Sequence, residues 1–165
     1  MTENPDLDAH ARDVIDANTY MVLGTLDPDG EPRLSPVYFT HVDHANFYWV
    51  SSPDAHHSAN VGRHRSVTIV IFDSTVPVGG GKCVYLRAEA AEVPDEELAE
   101  RCGAAFTEGL RGAVSFTPDE LRGDEPLRLY RAAATSYEVH VRGRDPVHGT
   151  GIDRRMPADP RDRGA

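Results

Sequence analysis

The chain has 165 residues, enough for one domain that buries about two thirds of its unfolded surface. Hydrophobic residues make up 39% and charged residues 27%, and the longest apolar run, Val67 to Phe72, falls far short of the ~18 residues a membrane-crossing helix needs. The 27 acidic residues outnumber 17 basic ones for a formal charge of −10, which repels phosphodiester backbones, so nucleic acid and membrane are set aside as partners and a small molecule is expected.

The start of the chain, Met1 to Asp6, lacks the basic then oily profile of a secretion signal. Cys83 and Cys102 lie without a CxxC partner, so free thiols and a cytoplasmic location are expected. Leu7, Ala11, Val14, Ile15 and Asn18 recur at helical spacing, which predicts an amphipathic helix over 6–18 with Asn18 as its stop. The period then changes. Tyr20 to Leu26 is dense in strand formers, Asp27-Pro28-Asp29-Gly30 makes a tight reversal, and a second strand from Glu31 to Thr40 pairs back. Pro36 within it deletes a ladder donor, so that strand is interrupted or at an edge. Residues 41–46 form a polar turn and Phe47 to Val50 a third strand.

Ser52, Pro53 and Asp54 signal a helix start, with Ser52 as cap and Gly62 as the end. Ser66 to Phe72 is the strongest strand signal and is expected to be central; Gly79-Gly80-Gly81 is a connector into the strand Lys82 to Val93. A helix follows from Pro94 to Phe106 and a shorter one opens at Thr117, before one long or two consecutive closing strands over 127–131 and 135–141. From Asp145 onward the chain has three prolines and no aromatic, and reads as a flexible tail over 145–165 behind a domain over 1–144. Six or so strands with turn-length links predict a mainly β, small antiparallel barrel plugged by helices.

Several chemistries fail on spacing. The run Val78-Gly79-Gly80-Gly81-Lys82-Cys83 has neither the upstream glycine nor the hydroxyl of a P-loop, and no GxSxG elbow is present. His41 and His44 are three apart and His56 and His57 adjacent, but adjacent helical side chains diverge by ~100° and no carboxylate or thiol stands at a recognisable spacing from either pair. No metal site is expected. Ser51 to Asn60 is more promising, because a helix start presents free backbone N–H groups and Ser51, Ser52, His57 and Ser58 add donors. Arg33-Leu34-Ser35-Pro36-Val37 complements it, since a proline-interrupted strand leaves backbone groups free for a planar heterocycle.

The ordered runs Gly30-Glu31-Pro32-Arg33-Leu34-Ser35-Pro36-Val37-Tyr38-Phe39, Tyr48-Trp49-Val50-Ser51-Ser52, His57-Ser58-Ala59-Asn60-Val61, Ser66-Val67-Thr68-Ile69 and Val84 to Ala90, through Leu129-Tyr130-Arg131, resemble the pyridoxamine 5′-phosphate oxidase-like, FMN-binding split-barrel family. The likeness spans roughly residues 10–140. It implies a six-stranded antiparallel Greek-key split β-barrel with peripheral α-helices, forming a homodimer with two flavin sites at the subunit interface. By position it implies that Arg33, Ser35, Pro36 and Val37 line the ring and ribityl chain, that Trp49, Val50 and Ser51 follow along the next strand, and that His57 and Ser58 meet the phosphate. Lys82 falls where the family often has a polar residue reaching the flavin. His57-Ser58 replaces the Arg-Lys pair of the vitamin B6 enzymes, and the C-terminal tryptophan block and Arg-x-His signature are missing, so vitamin B6 chemistry is not expected. The expected activity is FMN-dependent hydride transfer to or from a small organic substrate. The alternatives are a deazaflavin-dependent reductase on the same fold and a module that holds flavin or haem without turnover. Tyr38, Tyr85 and His41 are the candidate proton donors.

Overall fold

In the computed structural model, which describes residues 5–106 and 114–161, the chain forms one curled antiparallel sheet with three α-helices packed against it. The elements in order are α1 (Pro5–Ala17), β1 (Tyr20–Leu26), β2 (Pro32–Tyr38), β3 (Thr40–Val42), β4 (Asn46–Ser51), α2 (His56–Arg63), β5 (Ser66–Phe72), β6 (Cys83–Glu92), α3 (Leu98–Ala105), β7 (Arg128–Val141) and β8 (Arg154–Ala158). Single 3-10 turns, Asp95–Glu97 and Pro118–Leu121, flank α3, the second closed by a reciprocal Thr117–Glu120 capping box.

The strand order is β2-β1-β5-β6-β7-β4-β3, with β8 beside β7. This is the mainly β split barrel expected, with eight strands because two short ones join the six. Pro36 sits in β2 opposite Val22, and β2 ends the sheet path, so its missing N–H leaves no ladder bond unmade. The strand expected over 31–40 breaks at Phe39, whose N–H donates to the Thr19 carbonyl, and β3 turns away to pair with β4. The third strand of the expected meander therefore joins β3 and β7 rather than β2. β5 lies between β1 and β6, as its apolar content suggests, although its outward positions Ser66, Thr68 and Phe72 are exposed.

The long strand β7 curls the sheet. Arg87 of β6 pairs with Ser136 and Ala88 with Ala134, leaving Thr135 as a bulge whose hydroxyl donates to the Arg87 carbonyl at 3.0 Å. On the edge away from β6, the first half of β7 pairs with β4 and the second half with β8.

Residues 145–161 carry more structure than a tail. β8 pairs with Tyr137 to Val141, the Asp159 N–H donates to Asp8 Oδ1 at 2.7 Å, and Arg12 donates to the Pro160 carbonyl at 3.0 Å. Its order comes from partners rather than from its own composition: Met156 and Ala158 pack against the main core. The ends of that expectation, residues 162–165, and the secretion-signal reading of residues 1–4 lie outside the described residues.

Two hydrophobic clusters meet at β4. Phe47 and Trp49 join the barrel core with Leu23, Ile69, Leu86 and the buried face of α1, namely Leu7, Ala11, Val14 and Ile15. Tyr48 and Val50, on the other face, join Leu98, Cys102, Leu121 and Leu129 under α3. Asn18 ends α1 as expected, its side-chain amide donating to the Val14 carbonyl at 2.7 Å.

Candidate functional site

The start of α2 lies three residues later than the sequence signals suggest. Ser52 caps a turn instead, accepting from the Asp54 N–H at 3.2 Å while the Ala55 N–H donates to the Ser52 carbonyl at 3.1 Å. Ala55 is the helix cap, extended and with no side-chain oxygen to offer, and the first helical bond runs from the Ala59 N–H to the Ala55 carbonyl at 3.0 Å. The N–H groups of His56, His57 and Ser58 thus have no acceptor one turn back and no capping side chain. Such a helix start attracts anions through both its free donors and its dipole.

Side chains reach this helix by three routes. Ser51, at the end of β4, meets His57 Nε2 through its hydroxyl at 2.9 Å. Burial, and then neighbouring His56, holds the His57 imidazole below its ordinary 6.5. Ser58 is buried beside Tyr130 of β7, whose phenol burial pushes up while the Ser58 hydroxyl pulls the other way. Trp49 stacks on Tyr130 with ring centroids 5.5 Å apart and planes 16° from parallel, as their direct pairing across β4 and β7 requires.

The third approach comes from β1 and β2. Arg33 forms a two-pronged ion pair with Asp27, Nε to Oδ1 at 2.8 Å and the guanidinium NH2 to Oδ2 at 2.7 Å. Asn60, 1% exposed on α2, donates to Asp27 Oδ1 at 2.7 Å and to Thr25 Oγ1 at 3.0 Å, and accepts from Arg63. Asn60 and Asp27 are not among the expected site residues. The signal was an amide one helical turn beyond His57, on the face that turns inward.

On the other face of β4, where Val50 precedes Ser51, Tyr20, Tyr38, Val50, Val114, Phe116 and Leu127 line an open groove of about 450 Å³. Tyr38 Oη and Trp49 Nε1 are both buried without a hydrogen-bond partner, a state buried polar atoms rarely keep unless a ligand or water completes them.

The expected residues therefore divide. Arg33, Ser51, His57 and Ser58 converge on α2, Trp49 lies beneath them, and Val50 opens onto the groove. On β2, Ser35 shares the inward face with Arg33, whereas Pro36 is exposed on the opposite face and Val37 is buried in the core. Lys82 lies apart: it is exposed just before Cys83, at the far end of β6 from Glu92 and Tyr130, in a separate cavity of about 320 Å³ with His10 and Asp145. Of the candidate proton donors, Tyr38 lines the groove, Tyr85 lies under the Arg155 guanidinium at 3.5 Å, and His41 contacts Asp16.

The sequence profile of pyridoxamine 5′-phosphate oxidase matches residues 7–140, all but the first helical residues and the final strand. The chain belongs to the pyridoxamine 5′-phosphate oxidase family. A comparison with curated proteins finds no match. Among solved structures, a haem-binding protein from Mycobacterium smegmatis is 18% identical with a TM-score of 0.68, covering 94% of this chain and 60% of that one. A protein from Clostridium acetobutylicum related to general stress protein 26 of B. subtilis, of the pyridoxinephosphate oxidase family, is 9% identical with a TM-score of 0.61, covering 93% and 96%. An F420 reductase is 16% identical with a TM-score of 0.55, covering 76% and 94%. At these identities the likeness is one of fold. Members of the pyridoxamine 5′-phosphate oxidase family share the split barrel described above, and α2 is the element through which several of its strands reach the site in this chain.

Proposed function

We propose that this chain is an FMN-dependent oxidoreductase acting on a small organic molecule, with the start of α2 as its phosphate seat and the neighbouring groove as its ring site. The observation that carries the reading is the uncapped α2 terminus, whose free N–H groups stand beside the Ser51–His57 pair, with the apolar groove reached through Val50, the residue before Ser51. Membership of the family supports a flavin, and the orphaned Tyr38 hydroxyl supports a ligand in the groove. When bound, the flavin supplies hydride transfer at its ring nitrogen.

The side chains present suit the group. The N–H groups of α2, Ser58 and His57 would hold the phosphate, while Arg33 and Ser35, on the inward face of β2, would meet the polyol chain. Asp27 is already matched by Arg33 and Asn60, so no bare carboxylate opposes the anion there. Tyr38 and Val50 would wall the ring away from water, and Tyr38 Oη is the donor placed to hand on a proton. Burial pushes that phenol up, so it remains protonated at neutral pH.

The neutral Ser-His start of α2 favours one second reading. Without two cations it suits a singly charged phosphodiester better than a dianionic monoester, which supports a deazaflavin on the same seat.

We further propose a homodimer joined through the outer face of the sheet. Tyr20, Leu26, Leu34 and Phe72 stand there 63, 43, 72 and 46% exposed, and register sets Val22 between Pro36 and Val70, with Tyr85 beyond. Contiguous exposed apolar surface of this kind marks an interaction site. No described helix is long and apolar enough to cross a membrane, and two free thiols support a reducing, cytoplasmic setting.

Purified full-length protein decides among the readings. Mass spectrometry of the co-purifying ligand, then titration with FMN, deazaflavin and haem, is followed through quenching of Trp49, the only tryptophan. FMN bound one per chain and bleached by a nicotinamide donor is the expected result; exclusive deazaflavin binding, or haem without turnover, overturns it. Binding an anion at α2 favours the charged form of His57, which burial otherwise disfavours, so FMN affinity is expected to rise as pH falls toward and below 6.5. Affinities measured from pH 8 to 5 are expected to show a shallower rise in His57→Gln.

A further inference from the structure

His41 and His44 flank the turn between β3 and β4, and both point their Nε2 atoms at one oxygen of Asp16, Oδ1, at 2.9 and 3.1 Å. The rings lie with centroids 4.5 Å apart, and one ligand atom from each of the three residues falls within 4.8 Å of the others. The carboxylate that sequence spacing did not supply to this histidine pair comes from the last turn of α1, 25 positions before His41. The histidine side chains are 14 and 10% exposed and Asp16 is 45% exposed, so the cluster is walled on the protein side and open on one. Phe39 and Phe47 form part of that wall, with ring centroids 6.5 and 6.0 Å from His41.

One further feature calls for a cation here, and another sets the histidines in place for it. Asp16 sits in the last turn of a helix that has no basic residue there, so its negative charge adds to the negative end of the dipole instead of offsetting it. The turn itself is held in an unfavourable shape. Asp43 and His44 both have positive φ, 54° and 53°, in a tight hairpin turn closed by the Ala45 N–H donating to the Val42 carbonyl at 3.0 Å. That shape normally takes Asn-Gly, and non-glycine residues hold it only where surroundings insist. Here the Tyr137 hydroxyl donates to the His44 carbonyl and the Ala134 N–H to the Ala45 carbonyl at 2.9 Å, which fixes His44 beside His41.

We propose that Asp16, His41 and His44 bind one divalent transition-metal ion of the zinc class, which clips the end of α1 to the β3–β4 hairpin and keeps its remaining coordination for water. Two imidazoles and a carboxylate are borderline donors that suit zinc and its first-row neighbours. In a tetrahedral site with bonds of about 2.0–2.1 Å, ligand atoms lie roughly 3.3 Å apart. The present Nε2–Oδ1 separations need to open by only a few tenths of an ångström to admit the ion. The site is separate from the flavin seat, because the hairpin precedes Asn46 at one end of β4 and Ser51 stands at the other.

The test uses the full chain, stripped by a chelator and titrated with Zn²⁺ alone and then Co²⁺ alone, by calorimetry, visible absorption and thermal unfolding. One ion per chain, a raised Tm, a cobalt spectrum of imidazole ligation and shifted ring-proton signals of both His41 and His44 are expected. Asp16→Asn and His41→Gln, with folding checked by circular dichroism, are expected to weaken binding by more than the about 10–100-fold that losing an outer hydrogen-bond partner causes. His64→Gln, on the exposed end of α2, is expected to bind as the parent does. Failure of the parent chain to take up one equivalent, unshifted His41 and His44 signals, or equal uptake by both site variants overturns the proposal. None of these readings depends on the flavin.

Discussion

At the turn between β1 and β2, Asp27 has its carboxyl held down to about 2 from an ordinary 3.8, first by the hydrogen bond from Arg33 and then by that from Asn60. A folded-state value below the unfolded one means that the stabilisation is fully present above the ordinary value and is lost as pH falls through about 2. Melting curves of the parent and Asp27→Asn are expected to differ most near neutrality and to converge as the solution is acidified into that window; a constant gap would show that the carboxylate does not carry the link. Sequence reading found Asp27 only as a turn former, because the same side chain that starts a reversal also reaches a helix 33 positions away. Arg33, Ser51, His57 and Ser58 were legible through their order along the chain. Asp16 was not, since only the docking of α1 against the barrel brings it to the histidines.

At the scale of the element, β1 is tightly confined at Gly24. A Cβ on Gly24 would stand 2.6 Å from Thr68 Oγ1 and 3.3 Å from the Thr68 carbonyl of β5, with Leu34 of β2 at 3.5 Å on the other side. Gly24→Ala is expected to lower stability by about 1–3 kcal/mol, the usual effect of overpacking, as measured by denaturant midpoint. A neutral result would mean that Thr68 swings aside without loss. Periodicity located most of these elements, α1 and β1 best, because burial there follows one regular face. It missed β8, whose five residues include a proline and two arginines and become ordered against β7 and α1 rather than by any pattern of their own. It also placed the start of α2 too early, because Ser52-Pro53 serves a turn as well as it serves a helix.

For the whole molecule, the proposed dimer gives the sheet's outer face its role. Leu34→Glu would bury an unpaired carboxylate in each half of that contact, a cost of at least a few kcal/mol, so dimer affinity is expected to fall by more than about a hundredfold in sedimentation equilibrium. A variant that sediments as the parent does would move the contact elsewhere. The two clusters meeting at β4 carry another consequence. Phe47 and Trp49 cannot leave the barrel without Tyr48 and Val50 leaving α3, because alternate side chains of one ribbon are anchored in opposite compartments. Local opening on either side is therefore forbidden to this strand: its amides are expected to take up deuterium only when the entire molecule comes apart, at the slowest rate in the protein, while α1 and β8 exchange through smaller excursions.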